Sequence, residues 1–332
     1  MNTPKVSIAI ATYNGEKYLD EQLKSIFEQT HVNIEVIACD DCSTDGTIQI
    51  LERYCRYTNF KYFLNNKNLG YVKNFQKVIS MCSGDFIALC DQDDIWMPTK
   101  IEELLENIGD NLCIHSDAFL INNDSEIISE SYSQYSSKLT MPESMYDLAF
   151  NGCVTGCTAL FSRELLNDLL PFPQNLDVHD RWIGALAFSK GRLKYIDKSL
   201  IKYRQHENNN IGAANVNLNL SKMILNWFSK NRKILFKKNG NFENVYRRHH
   251  AFVGILLERF PSNFSYEEKR NLYKLLKIYE GFMAGGVYSL INFFKYIKYF
   301  HAVELNKNLG YKVLFYCAIF REVLLRCAKK NS

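Results

Sequence analysis

Asp91, Asp93 and Asp94 crowd three carboxylates into four residues of the stretch LCDQDDIW, at the end of the apolar run DFIALC. Like charges at the end of a core strand repel one another and lose hydration, a cost that a bound cation removes. A hard Mg2+ or Mn2+ takes one or two protein carboxylates and fills its shell with water and phosphate oxygens. Asp91 and Asp93 can point to the same side of an extended segment, with Gln92 between them as a spacer. Two more apolar runs end in polar groups: VSIAIA in Thr12 and Asn14, and IEVIAC in Asp40 and Asp41. An isolated DxD is best read as a solvated acidic turn. Three polar strand ends at one edge favour a ligand site instead.

The elements that must position these groups are legible from periodicity. Residues 6–11, 34–39, 60–64 and 85–90 read as short buried strands. Between the first two, Tyr18, Leu19, Leu23, Ile26 and Phe27 recur at helical spacing. A second helix begins near Thr47, with Ser43 or Thr44 as its cap, and a third covers 71–82. This alternation predicts a parallel, doubly wound α/β sheet, with ligands beyond the carboxyl ends of its strands. Further on, Pro98 opens a helix over KIEELLENI, and 111–122 and 126–133 are strand candidates around a turn at Asn123-Asp124. A Gly-punctuated loop at 151–157, a helix opened by Val178-His179-Asp180, and a strand ending in Arg204-Gln205-His206 follow.

The 332 residues carry 40 Lys and Arg against 36 Asp and Glu, unevenly spread. Residues 213–332 hold 21 basic and 7 acidic groups, net +14, leaving 19 against 29, net −10, in residues 1–212. We therefore expect a domain over 1–212 and a basic, aromatic-rich, mainly helical one over 213–332. The acidic first part argues against a nucleic-acid groove there, and no RNA-binding or helix-turn-helix signature is present. The basic part, through WFSKNRKILFKK, NFFKYIKYF and VLFYCAIFREVLLRCAKK, suits an anionic surface. Ten cysteines include one CxxC, Cys39 and Cys42, and no second pair at zinc spacing, so reduced buried thiols are expected. MNTPKVSIAIATYNG lacks the order of a signal peptide. The longest uncharged stretch of the basic part, residues 281–294, is shorter than the roughly 20 residues that span a bilayer.

In their order and spacing, VSIAIATYNGEKYLDEQLKSI, VIACDDCSTDGT and NLGYVKNFQKVISMCSGDFIALCDQDDIWMPTKIE resemble glycosyltransferase family 2, inverting enzymes that use nucleotide sugars. The likeness continues more weakly through NGCVTGCTALFSREL and HDRWIGALAFSKGRLKYIDKSLIKYRQHENN to about residue 210. It implies a GT-A fold, Rossmann-like with a mostly parallel sheet, followed by a helical extension. By the same resemblance Thr12, Asn14 and Asp41 surround the nucleotide, with Asp41 accepting from the base N3–H and Asp40 supporting the loop. Asp91 and Asp93 become the DxD pair, Asp93 touching Mn2+ or Mg2+, with Asp94 in a supporting or sugar-facing place. His206 is the implied third ligand of metal or diphosphate, or Arg204 meets the diphosphate instead, and Thr155 and Gly156 either allow close backbone approach near the sugar or acceptor or pack a tight glycine turn. Asp180 is the implied general base: inverting transfer needs a carboxylate to take the proton of the attacking hydroxyl. Its alternative is helix-cap duty. His179 departs from the acidic residue that family members usually carry there, and Trp182 walls the acceptor site or is core.

DQDDIW with YRQHENN is especially similar to bacterial rhamnosyltransferases of surface polysaccharides, which implies dTDP-L-rhamnose as donor; UDP-glucose or UDP-galactose is the alternative. The implied acceptor is a hydroxyl of a growing glycan on polyprenyl diphosphate at the inner face of the cytoplasmic membrane. A peripheral, cytoplasmic protein would hold there through its basic tail at about 1 kcal/mol per Lys or Arg. A self-contained bundle or a homodimer contact would use the same surface. A silent sugar-nucleotide binder is opposed by the intact Asp41, Asp91, Asp93 and Asp180. A nucleotidyltransferase is opposed by ATYNGEKY, where a Gly-rich phosphate loop bearing Lys or Arg would stand.

Overall fold

The computed structural model describes residues 3–136, 138–150, 152–206 and 241–284. The chain divides into two compact units, Met1–Ala214 and Asn215–Ser332. The first opens with β1 (Val6–Thr12), α1 (Leu19–Phe27), β2 (Ile34–Asp40), α2 (Thr47–Tyr54), β3 (Phe60–Leu64), α3 (Tyr71–Ser80) and β4 (Phe86–Cys90). It continues through β5 (Ile95–Trp96), α4 (Lys100–Ile108), β6 (Cys113–Ile121), β7 (Ile127–Ser129), α5 (Tyr132–Ser136) and α6 (Met145–Phe150). β8 (Ala159–Ser162), α7 (Leu166–Leu169), α8 (His179–Ser189) and β9 (Leu193–Arg204) complete it.

These strands form one sheet in the order β3-β2-β1-β4-β8-β6-β9-β5, with β7 on the flank of β6. The first four pair in parallel, because each crossover helix returns the chain to the same end of the sheet. The expected doubly wound pattern describes this half. Beyond β4 the sheet is mixed: β8 runs antiparallel to β4 and β6, and β5 to β9, while β6 and β9 are parallel. Ile8 and Ile10 of β1 join Leu19, Leu23 and Leu51 in one large buried cluster. Full burial of each such side chain contributes about 1.5–3 kcal/mol. α3 packs on β1 and β2, and its buried Phe75, Val78 and Ile79 lie outside that cluster.

The cap of α2 differs from expectation. Asp45 Oδ1 accepts from Thr47 N at 3.0 Å and Thr47 Oγ1 at 2.5 Å, which frees Ser43 and Thr44 to bond the loop after β1.

The sheet end opposite these loops is tied by a different carboxylate. Glu35 accepts from Lys5 Nζ at 2.6 Å, Ser83 N at 2.6 Å, Ser83 Oγ at 2.7 Å and also from Ser7 Oγ. Burial raises its pKa, but Lys5 and the other donors outweigh that and hold it at about 2. A depressed carboxyl stabilises the fold above its ordinary value, and the benefit disappears as pH falls through the folded value. Glu35→Gln is therefore expected to cost about 2 kcal/mol at neutral pH after allowance for solvent screening. Urea denaturation should show the variant and parent converging as pH falls from about 4.5 to about 2.

In the second unit α9 (Asn241–Arg259) and α10 (Tyr266–Ala284) pack together, burying Phe252, Val253, Leu256, Leu272 and Leu275. The stretches WFSKNRKILFKK, NFFKYIKYF and VLFYCAIFREVLLRCAKK lie outside the described residues. No helix among the described residues is long and apolar enough to cross a membrane.

Candidate active site

Three strand ends and two later loops enclose a cleft of ≈ 790 Å³ in the first unit. At the end of β1, Thr12 is buried and its Oγ1 donates to Asp40 Oδ1 at 2.8 Å. Asp40, itself fully buried, also accepts from Ser43 N at 2.8 Å and Ser43 Oγ at 2.5 Å. Asn14 takes a left-handed φ of 48°, a conformation Asn tolerates well. Its N–H donates to Ser43 Oγ, and its Oδ1 accepts from Thr44 N, both at 2.8 Å. The β1 and β2 loops are thus joined into one wall. Asp41 sits on that wall with its carboxylate facing inward: Asn65 Nδ2 (2.8 Å), Leu69 N (2.7 Å) and Gly70 N (2.8 Å) all donate to it. A carboxylate has about four acceptor positions, and these bonds fill three of them.

β4 delivers the acidic cluster. Asp91 and Asp93 line the cleft, and His206 Nε2 lies 2.8 Å from Asp93 Oδ2. The His206 ring stacks on Tyr18 at 5.3 Å. Gln92 is more than a spacer: its Oε1 accepts from Tyr13 N at 2.8 Å and its Nε2 donates to Tyr13 O at 3.0 Å, clamping the β1 loop to the acidic loop. Burial, then the charges of Asp93 and Asp180, pushes Asp91 up to about 7. Asp94 turns away from the cleft and is fully buried; its Oδ1 accepts from Arg204 N at 3.0 Å, while its Oδ2 has no partner among the described residues. Burial and the two neighbouring acids raise Asp94 well above the ordinary range. Lys100 lies beneath the loop, also fully buried, with Nζ 2.6 Å from Cys157 O and 3.3 Å from the Trp96 ring centroid. Burial pushes its pKa down to about 8, while Asp94 and Asp91 are among the groups that pull it back up.

Two sets of groups here can hold a cation. Asp91, Asp94 and Cys157 bring their ligand atoms within 4.8 Å of one another. Burial drives the Cys157 thiol far above its ordinary value, however, and a protonated sulfur is a poor ligand for a hard ion. Asp91, Asp93 and His206 offer oxygen and nitrogen on the cleft side, and the like-charge repulsion felt by Asp91 is what a cation relieves. By donor chemistry that set suits the hard divalent ion that the acidic motif implies, although its ligand atoms are not gathered within 4.8 Å of one another as those of the first set are.

Arg204 requires a correction. It was expected at the diphosphate, but it is 1% exposed and does not line the cleft. Its Nε donates to Asp93 O at 2.8 Å, its Nη1 to Asn122 O, Asn123 O and Ser125 Oγ at 3.2, 3.2 and 3.0 Å, and its Nη2 to Glu21 Oε2 at 2.5 Å. With its donors spent on protein oxygens, it ties the acidic loop to α1 and to the β6–β7 turn.

On the facing side, Asp180 lies in the first turn of α8, where the helix dipole favours a carboxylate. Gly156 N donates to its Oδ2 at 3.0 Å. A Cβ on Gly156 would stand 3.3 Å from His179 Nε2 and 3.6 Å from Asp180 Cβ, so the glycine permits this approach. Thr155 beside it accepts from Lys138 Nζ. His179 stacks on Phe75 at 4.1 Å, and burial pushes its pKa down to about 4, which leaves it neutral. Trp182 is core: it is 2% exposed and its Nε1 donates to Leu169 O at 3.3 Å. The cleft thus gathers Thr12, Asn14, Asp41, Asp91, Asp93, Thr155, Gly156, Asp180 and His206. Lys100 and Lys138 have no motif role to announce them, and Gln92, inside the acidic motif, reads there only as a spacer.

Comparison with known proteins gives this arrangement a lineage. The model for glycosyl transferase family 2 matches residues 7–170. A dTDP-rhamnosyl transferase, RfbG of Shigella flexneri, is 33% identical over 224 residues, covering 61% of this chain and 74% of the relative. The Escherichia coli UDP-Glc:alpha-D-GlcNAc-diphosphoundecaprenol beta-1,3-glucosyltransferase WfgD is 29% identical over 186 residues, 54% of this chain and 69% of its own. Among solved structures, the Pyrobaculum calidifontis mannosyltransferase PcManGT, in complex with GDP-Man and Mn2+, superposes with a TM-score of 0.53. It is 15% identical, with 100% of this chain and 88% of that one covered. The chain is a GT-A-fold glycosyltransferase and belongs to glycosyl transferase family 2.

Proposed function

We propose that this enzyme transfers L-rhamnose from dTDP-L-rhamnose, with inversion, onto a hydroxyl of a growing bacterial surface glycan carried on a lipid diphosphate. The observation that carries the reading is the meeting of Asp91 and Asp93 with Asp180 across one cleft. The likeness to RfbG supports the donor, and the likeness to WfgD supports the lipid-linked acceptor. WfgD also favours a second reading, UDP-glucose as donor.

In this mechanism Thr12, Asn14 and Asp41 border the nucleotide. Asp180 takes the proton of the acceptor hydroxyl as its oxygen bonds to the anomeric carbon, and the bond from that carbon to the diphosphate breaks on the opposite face. Asp91, Asp93 and His206 would hold Mn2+ or Mg2+, which when bound neutralises charge on the departing diphosphate. Gln92 and Arg204 keep the two loops in register. The basic second unit would hold the enzyme at the anionic inner face of the membrane.

A panel of dTDP-rhamnose, UDP-glucose, UDP-galactose and GDP-mannose with Mn2+, read by donor hydrolysis and thermal shift, tests the reading. The expected result is turnover of dTDP-rhamnose above the rest by at least about tenfold, a discrimination of about 1.4 kcal/mol. Preference for UDP-glucose would establish the second reading, and inertness toward every donor would sink both.

A further inference from the structure

Lys138 lies between α5 and α6 and is half-buried against the cleft, on the same side as Asp180. Its Nζ donates to Val154 O at 3.1 Å and to Thr155 Oγ1, and lies 5.4 Å from the centroid of Tyr132. Both hydrogen-bond acceptors are uncharged, and no carboxylate among the described residues stands within ion-pairing distance of it. An ammonium carries three donors, so one is left over. Burial works against its charge, and Asp180 is foremost among the groups that support it.

Its partners place it with purpose. Lys138 holds Val154 and Thr155, while Asp180 holds the next residue, Gly156. One tripeptide is therefore gripped by a cation and by the candidate base. Lys17, the other lysine lining the cleft among the described residues, belongs to the β1 loop and lies over Tyr18 at 4.8 Å, on the nucleotide side. A desolvated cation with no carboxylate at ion-pairing distance is costly until an anion reaches it, and a group arriving beside Asp180 comes with the acceptor.

We propose that Lys138 docks an oxyanion of the acceptor, a carboxylate or phosphate carried close to the hydroxyl that Asp180 deprotonates. This rests on the glycosyl-transfer reading of the site, but its test needs no turnover. With the full chain held in dTDP and Mn2+, calorimetry would compare methyl glucuronoside, glucose 1-phosphate and methyl glucoside. The charged sugars are expected to bind about tenfold more tightly than the neutral one, the effect of about one charge-assisted hydrogen bond. Lys138→Met should erase that preference and Lys138→Arg should keep it, with dTDP binding unchanged in both. Lys138→Gln, which retains a donor for Thr155, replaces the Met variant if that protein does not fold. A preference for the glucuronoside alone identifies a uronate acceptor, and one for glucose 1-phosphate alone a phosphate-linked acceptor. Equal binding of all three sugars, or no binding of the charged ones, overturns the proposal. So does a preference that survives Lys138→Met, or weakened dTDP binding in its place, which would assign the ammonium to the donor. Donor inertness in the panel above would leave these binding results readable.

Discussion

Asp180→Asn is expected to slow transfer by about 10³-fold at saturating donor and acceptor, within the range for loss of a general base. Nucleoside-diphosphate binding and thermal stability should stay at parental levels. The substitution is nearly isosteric, and the amide oxygen can still accept from Gly156 N, the 3.0 Å bond that fixes the side chain. What disappears is the basic oxygen alone. Asp180 has a structural alternative, because it stands in the first turn of α8 and anchors the 154–156 loop. Asn keeps the bond to Gly156 and loses only the small dipole contribution at this second position of the helix, so an Asn variant with full activity would reduce Asp180 to that structural role. Asp180→Glu gives a second measure. It keeps the base but displaces it by about 1 Å, a misplacement that costs on the order of 10²-fold where the base must meet an aligned hydroxyl. Both should be read as kcat with separate KM values, since a binding defect would appear in KM.

Where the fold is dictated by local pattern, the chain could be read without coordinates. β1, β2, β3 and β4 are short β-branched or apolar runs with helices between them, and the polar ends of β1, β2 and β4 meet in the cleft as the topology of a parallel sheet demands. The antiparallel insertion of β8 between β4 and β6 was not legible, because ALFS carries no sign of its partners and a buried strand reads alike in either direction. The same limit explains the site residues that pattern missed or misplaced. Arg204 ends a strand beside His206, and a cation near a diphosphate site is a reasonable guess. Its actual partners come from α1, the acidic loop and the β6–β7 turn, and Glu21 is 183 residues away. Lys100 opens an amphipathic helix, where a lysine is ordinarily solvated; only the placement of Trp96 and Cys157 shows that it is buried. Gln92 looks like a spacer in the sequence because its role depends on Tyr13, which reaches it only through the β1–β4 pairing.

Asp93→Asn is expected to abolish the thermal shift produced by Mn2+ and to lower transfer by about 10³-fold, the several kcal/mol that a cation contributes at a leaving phosphate. His206→Ala should cost less, about 10- to 100-fold, the range for a group that orients a ligand or adds one bond to it. These effects follow if the cation lies on the cleft side of the acidic loop. The alternative is specific: Asp91 is shared between that side and the buried group it forms with Asp94 and Cys157. Were the ion held there, Cys157→Ala and Asp94→Asn would remove the Mn2+ response and Asp93→Asn would leave it intact. One feature argues for the cleft: the Cys157 thiol is held protonated by burial. Asp94 Oδ1, for its part, is engaged by Arg204 N at 3.0 Å. Asp94 thus braces the turn from beneath while Asp93, two residues past Asp91, lines the cleft. Asp94→Ala, which removes the acceptor for Arg204 N, is then expected to lower stability more than Mn2+ affinity, and Asp93→Asn the reverse. That crossed pattern is the outcome that separates a ligand from its support.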